Sequence, residues 1–92
     1  MVKAVILYEQ EPSADRYAQH VEVSERVPGA TFRHGKVFGA PIGDKRYAYY
    51  GEFEWPDMDS FRAGAGSEEF NASGADAVEM GIPFHVYFVA AE

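Results

Sequence analysis

The chain has 92 residues, 47% of them hydrophobic and 25% charged, and no cysteine. That content is too apolar for a disordered chain and too short for two hydrophobic cores, so one globular domain over residues 1–92 is expected, without disulfides or thiolate chemistry. Eight basic residues against 15 acidic ones give a net charge of −7, which repels nucleic-acid phosphates and anionic membrane surfaces alike. The apolar run from Val2 to Leu7 carries Lys3 and meets Glu9 early, too short for a signal peptide or a membrane span. A cytoplasmic location is therefore expected.

Val2 to Tyr8 (VKAVILY) reads as a strand covered on both faces, because it is almost continuously apolar and rich in β-branched residues. Ser13 is a candidate N-cap, and Tyr17, His20, Val21 and Ser24 recur at helical spacing, which predicts a helix from about Ser13 to Glu25. Pro28-Gly29 ends it. Ala30 to Phe38 alternates imperfectly as a second strand, with Phe32 and His34 on one face and Gly35 marking a bulge or a close approach. After a loop of Gly, Pro and Asp, Tyr47 to Trp55 (YAYYGEFEW) is a third strand, antiparallel to the second, with Tyr49, Gly51, Phe53 and Trp55 on one face.

A further helical stretch starts at Pro56-Asp57 with Met58, Phe61, Arg62 and Ala65 on one stripe, and breaks at Gly64-Ala65-Gly66. Those glycines lack the context of a dinucleotide fingerprint. Ser67 followed by Glu68 and Glu69 restarts the helix, which carries Phe70, Ala77 and Val78 and ends near Gly81. Ile82 to Ala90 closes the chain as a fourth strand. The order β-α-β-β-α-β is the split βαβ arrangement of an α+β, ferredoxin-like fold: a four-stranded antiparallel sheet with its helices on one face. Helices cover only one side of such a sheet, while several strands carry large apolar residues on both. A homodimer packed sheet against sheet is the expected remedy.

His20 stands between Tyr17 one turn before and Ser24 one turn after, on the side that meets the sheet, where an imidazole serves as general acid or base near neutral pH. The alternative is a partly buried histidine donating to a backbone carbonyl. His34 and His85 lie on strands, where a structural place at the dimer interface is the simpler reading. No H-x-H or H-x-x-x-H spacing exists, so no metal site is predicted. The pair Glu52 and Glu54 reads as a solvated strand edge. Asp76, inside the small-residue run ASGADAV, lies close to backbone and needs a partner if buried. Tyr8, Tyr17, Phe32, Tyr49, Phe61 and Phe70 belong to elements that converge between helices and sheet, and so either fill the core or line a pocket for an apolar ligand.

Several of these segments together resemble one known family. The start VKAVILYEQEPSADRYAQH, His20 followed eight residues later by Pro28-Gly29, YAYYGEFEW leading into DMDSF, then SEEFNASGADAVEMG and the closing FHVYFVAAE are similar to the EthD family, named for a protein of ethyl tert-butyl ether degradation. The family belongs to the dimeric α+β barrel superfamily. His20 falls on the histidine of its His-x-Pro-Leu segment, with Glu22 in place of the proline and Val23 in place of the leucine, which implies a more regular helix here. Asp76 falls on an acidic position common in the family. The resemblance implies a ferredoxin-like homodimer with a ligand cleft between helices and sheet. It also implies chemistry without metal or nucleotide cofactor, as in superfamily lactone isomerases, aromatic-polyketide monooxygenases and pigment-pathway dehydratases.

Two functions follow as expectations. The first is a cofactor-free enzyme acting by proton transfer on a cyclic or aromatic hydrophobic substrate, with His20 as acid or base, Tyr8 and Tyr17 as donors to developing oxyanion charge, and Phe32, Tyr49, Phe61, Phe70 and Asp76 at the ligand. The second is a non-catalytic carrier of a hydrophobic compound, or an accessory protein of an oxygenase system.

Overall fold

In the computed structural model, which describes residues 1–92, the elements follow the order β1 (Val2–Tyr8), α1 (Ala14–Ser24), β2 (Thr31–Lys36), β3 (Tyr49–Trp55), α2 (Met58–Ala65), α3 (Glu68–Glu79) and β4 (Phe84–Ala90). The strands form one antiparallel sheet in the order β2-β3-β1-β4, which is the ferredoxin-like arrangement. The register sets Ile6 opposite both Gly51 and Val86, and Phe32 opposite Phe53. Strands β2 and β4 are the edges, so Glu52 and Glu54 on β3 lie inside the sheet and not at its border.

Side chains alternate across the sheet, and only one face is covered. Val2, Ala4, Ile6 and Tyr8 of β1 are buried beneath the helices with Phe53 and Trp55 of β3. Lys3, Val5 and Leu7 are only half-buried on the other side. The expectation of a strand covered on both faces is therefore met on one face within the chain. On the open face Lys3 Nζ lies 3.3 Å from Glu52 and 3.6 Å from Glu54, and Arg33 Nη1 lies 3.3 Å and 3.5 Å from the same two carboxylates. The two glutamates thus belong to a neutral quartet of charges.

Element ends follow hydrogen-bonding capacity. Strand β4 begins at Phe84 and not at Ile82, because Pro83 has no N–H to donate; its carbonyl still accepts from Glu9 N–H at 2.9 Å. Strands β2 and β3 are shorter than their sequence pattern suggests, although Val37 N–H still reaches the Ala48 carbonyl at 3.0 Å. No bulge occurs at Gly35, which pairs in register with Tyr50. The Tyr50 ring lies 3.4 Å from where a Gly35 side chain would start, so the close approach is real.

Trp55 is fully buried and fixes the turn after α1, since its Nε1–H donates to the Pro28 carbonyl at 3.1 Å. Gly29 follows with φ +74°, a left-handed conformation that favours glycine. Helix α2 lies over this indole, with the Phe61 ring edge-on at 5.2 Å, and Gly64 instead of Arg62 makes its buried contact. A Cβ at Gly64 would run into Trp55 Nε1 and stand 2.7 Å from the Pro28 carbonyl oxygen. The Gly64-Ala65-Gly66 run therefore ends α2, with Gly66 as its C-cap, and also provides the surface against Trp55. Helix α3 buries Ser73 and Ala77, whereas Val78 remains 68% exposed.

Gly74 supplies a contrast, because a Cβ there meets nothing within 4 Å. Gly64→Ala is expected to lower stability by about 1–3 kcal/mol through overpacking. Gly74→Ala, in the interior of α3, is expected to raise stability by roughly 0.5–1 kcal/mol through helix propensity. Urea unfolding of the two variants should shift the midpoint in opposite directions.

Candidate active site

Helix α1 is phased by its N-cap, where the Ser13 hydroxyl accepts from Arg16 N–H at 3.3 Å. From that start, Tyr17, His20 and Ser24 fall on the buried stripe. Helix α3 is phased the same way by Ser67, which accepts from Phe70 N–H at 3.1 Å, and its Ser73 and Asp76 face α1. The contacts run antiparallel, with Asp76 opposite Arg16 and His20, and Ser73 opposite Ser24.

His20 is 3% exposed and held from both ring nitrogens. Its Nδ1 lies 2.8 Å from Asp76 Oδ2, while Nε2 lies 3.4 Å from Tyr8 Oη and 3.3 Å from Ser24 Oγ. Arg16 forks onto the same carboxylate, at 2.8 Å to Oδ1 and 3.2 Å to Oδ2, and also reaches the Asp76 backbone carbonyl. The guanidinium holds the Asp76 carboxyl below the usual carboxylate range. Burial pushes the His20 imidazole below its ordinary value, against the opposing pull of the Asp76 hydrogen bond. Neutral His20 with an ionised acceptor at Nδ1 carries its proton on Nδ1 and leaves a lone pair on Nε2, the form of a general base.

The tyrosines extend the site toward the sheet. Burial pushes the Tyr8 hydroxyl up to about 12, so it remains a donor throughout the physiological range. Burial raises Tyr17 as well, and its hydroxyl is buried without a hydrogen-bond partner. That hydroxyl lies 3.0 Å from where a Gly51 side chain would begin, so glycine at this point of β3 makes room for the ring. The Tyr17 ring is flanked by His20 at 5.2 Å, His34 at 5.1 Å and Tyr49 at 4.8 Å.

Two cavities adjoin this cluster. One of about 270 Å³ lies between α3 and the sheet, with apolar walls including Ile6, Phe53, Phe70, Phe84 and Val86 and a polar end formed by Tyr8, His20 and Ser73. The other, about 410 Å³, lies beside α1 and includes Glu11, Tyr17, Val21, His34 and Tyr49 in its lining. In it His34 Nδ1 and Tyr49 Oη are 2.7 Å apart.

The structure thus brings His20, Tyr8, Tyr17 and Asp76 into one cluster, with Phe70 on the first cavity and Tyr49 on the second. Phe32 packs behind them, 4.9 Å from Phe53 and stacked on His34 at 5.8 Å. Phe61 stands apart, between Trp55 and Phe88, and lines neither cavity. The partner of His20 is a carboxylate and not a backbone carbonyl. His34 lies on the helix side of the sheet, against Tyr17 and Tyr49, whereas His85 lies on the open side beside Tyr87. Sequence reading missed Arg16 and Ser73. Arg16 is one turn before His20, a spacing that places it on the same stripe, but nothing local announces Ser73.

No family model and no curated protein sequence matches the chain. Solved structures match over nearly the whole chain. An ethyl tert-butyl ether degradation (EthD) family protein from Bacillus halodurans C-125 superposes with TM-score 0.79 at 22% identity, covering 100% of this chain and 99% of that one. A dimeric ferredoxin-like protein of unknown function from Jannaschia sp. CCS1 gives 0.73 at 20% identity, covering 98% of each chain. SnoaB, a cofactor-independent oxygenase from Streptomyces nogalater, gives 0.61 at 19% identity, covering 99% of this chain and 92% of SnoaB. At these identities the likeness is one of fold, and the fold expected from the sequence is the one found.

The buried imidazole makes stability depend on pH. A His20 pKa below about 6.5 in the fold means that the unfolded chain takes up the proton first, so stability is full above that pH and is lost as pH falls toward the folded-state value. Asp76, depressed in the fold, adds a second loss as pH falls below about 4. Thermal melts should show the first decline as pH falls below about 6.5 in the wild type. His20→Gln should flatten that step and retain the more acidic one.

Proposed function

We propose that the protein is a small-molecule enzyme that moves a proton on a compact cyclic or aromatic substrate bound in the cavity of about 270 Å³. The observation that supports this best is the line Arg16–Asp76–His20, which ends in an imidazole lone pair at the polar end of an apolar cavity. A base oriented by a carboxylate and facing a reaction space is the arrangement general-base catalysis needs. Tyr8 Oη, 3.4 Å from Nε2, is the donor to oxygen charge that develops when a proton leaves carbon. The cavity falls just short of the range typical of drug-sized ligands, which suits a substrate of one or two rings. Membership of the EthD family belongs to the same reading, on the full-length fold likeness and the sequence resemblance.

Screening cyclic unsaturated ketones and enol lactones for proton-shift turnover tests the reading. His20→Ala should lower kcat by about 10²–10⁴-fold and leave ligand binding within a few-fold. Unchanged turnover in that variant would sink the assignment. Tight binding with no turnover by the wild type would identify a carrier instead.

The same reading includes a homodimer packed through the open sheet face. Its support is the row Val5, Leu7, Tyr87 and Val89 left without cover, and the description of the Jannaschia protein as dimeric. Sedimentation at micromolar concentration should give a dimer for the wild type and a monomer for Leu7→Glu. A monomeric wild type contradicts the packing.

A further inference from the structure

We propose that Ser24 and Ser73 form a proton relay from His20 to the cavity wall, so that the reaction is a proton shift between two atoms of one cyclic unsaturated carbonyl compound. The proposal rests on His20 acting as the base. Ser24 Oγ lies 3.3 Å from His20 Nε2 and 2.9 Å from Ser73 Oγ. Both serines are buried, at 1% and 3% exposure, yet only Ser73 borders the cavity that His20 and Tyr8 also line. Ser73 lies in the interior of α3, where alanine would suit the helix better than serine, so helix propensity does not account for it, and Ser24 meets it from the last turn of α1.

Hydrogen-bond arithmetic gives the chain its direction. Arg16 keeps Asp76 ionised, and an ionised carboxylate only accepts. Nδ1 therefore donates, and Nε2 has one lone pair for two neighbouring hydroxyls. When Ser24 donates to it, Ser24 accepts from Ser73, and the Tyr8 proton is released to the cavity, where a carbonyl oxygen is its natural acceptor. The contacts of 3.3 and 3.4 Å to Nε2 are long, so neither hydroxyl holds the lone pair against a better-placed proton.

With a β,γ-unsaturated ketone, the α-carbon's proton moves to Nε2 and the C–H electron pair becomes the new double bond of a dienolate, whose oxygen Tyr8 holds. The hydroxyl rotors then turn. Nε2–H passes its proton to Ser24 Oγ, Ser24 passes its own to Ser73, and Ser73 passes its own to the γ-carbon, giving the α,β-unsaturated ketone. The Nδ1 proton stays with Asp76, every group ends with the protons it started with, and nothing is oxidised or reduced.

The probe is 3-cyclohexen-1-one, followed in parallel by deuterium incorporation at the α-carbon in D2O and by ultraviolet absorbance of 2-cyclohexen-1-one. The wild type should show both exchange and isomerisation. Ser24→Ala and Ser73→Ala should retain exchange within a few-fold while losing isomerisation by at least about tenfold, the size of one disabled proton-transfer step. Ser73→Thr, which keeps a hydroxyl, should recover isomerisation. Isomerisation at the wild-type rate in the alanine variants overturns the relay alone, as does equal loss of exchange and isomerisation, the mark of a structural role. A wild type without exchange, or exchange that survives in His20→Ala, overturns the base and the relay together.

Discussion

The Asp76 carboxylate is the contact on which the arrangement of the helices depends. It takes two hydrogen bonds from Arg16 and one from His20, and thereby ties α3 to α1 across 60 and 56 residues of sequence. Hydrogen bonds to charged groups contribute on the order of 1.5–3 kcal/mol each, with the partly exposed Arg16 pair toward the lower end. A domain of this size holds only about 5–15 kcal/mol in total, so the fork is a substantial share. The same carboxylate sets the tautomer of His20. The helix seam and the protonation pattern of His20 therefore share one group, and the seam cannot open without breaking the contact at His20 Nδ1.

The rest of the scaffold acts by exclusion. Trp55 fills the space under α2, and its bond to Pro28 fixes where the chain leaves α1. With α1 set at its C-terminal end by Trp55 and along its length by Asp76, its buried stripe has one place to go. Gly51 completes the fit, since a side chain there would displace the Tyr17 hydroxyl and with it the ring between His20 and His34.

The strands, the helices and the alternation of the strand faces were legible in the sequence because their signals are local, whereas Arg62 and Val78, expected on the apolar faces of their helices, are exposed. Alternation in β1 and β3, capping at Ser13 and Ser67, and the Pro28-Gly29 turn each occupy a few residues. The Tyr17–His20–Ser24 stripe was readable for the same reason. Asp76 stood out as an acid among small residues, but its partners lie on another helix and depend on the relative rotation of α1 and α3. Ser73 gained significance only from that rotation, and Arg16, although on the His20 stripe by its spacing, gained its partner from it. Phe61 shows the converse: its aromatic character fitted a pocket, yet the glycine-smoothed face of α2 seats it against Trp55 and away from both cavities.

The sheet separates two electrostatic problems. On its helix side the carboxylate that touches His20, Asp76, is neutralised by Arg16 at the rim, and burial favours the uncharged imidazole at the polar end of an apolar cavity. Its open side carries four charges, yet Lys3 and Arg33 each contact both Glu52 and Glu54, so the quartet sums to zero. Covering isolated charges costs several kcal/mol per ion, whereas charges already paired within the chain bring much of their compensation with them. The neutral quartet is thus compatible with burial in a way that the overall charge of −7 is not. Beside Val5, Leu7 and Tyr87, it makes the open face the one that this acidic chain can present to a second apolar surface at least electrostatic cost.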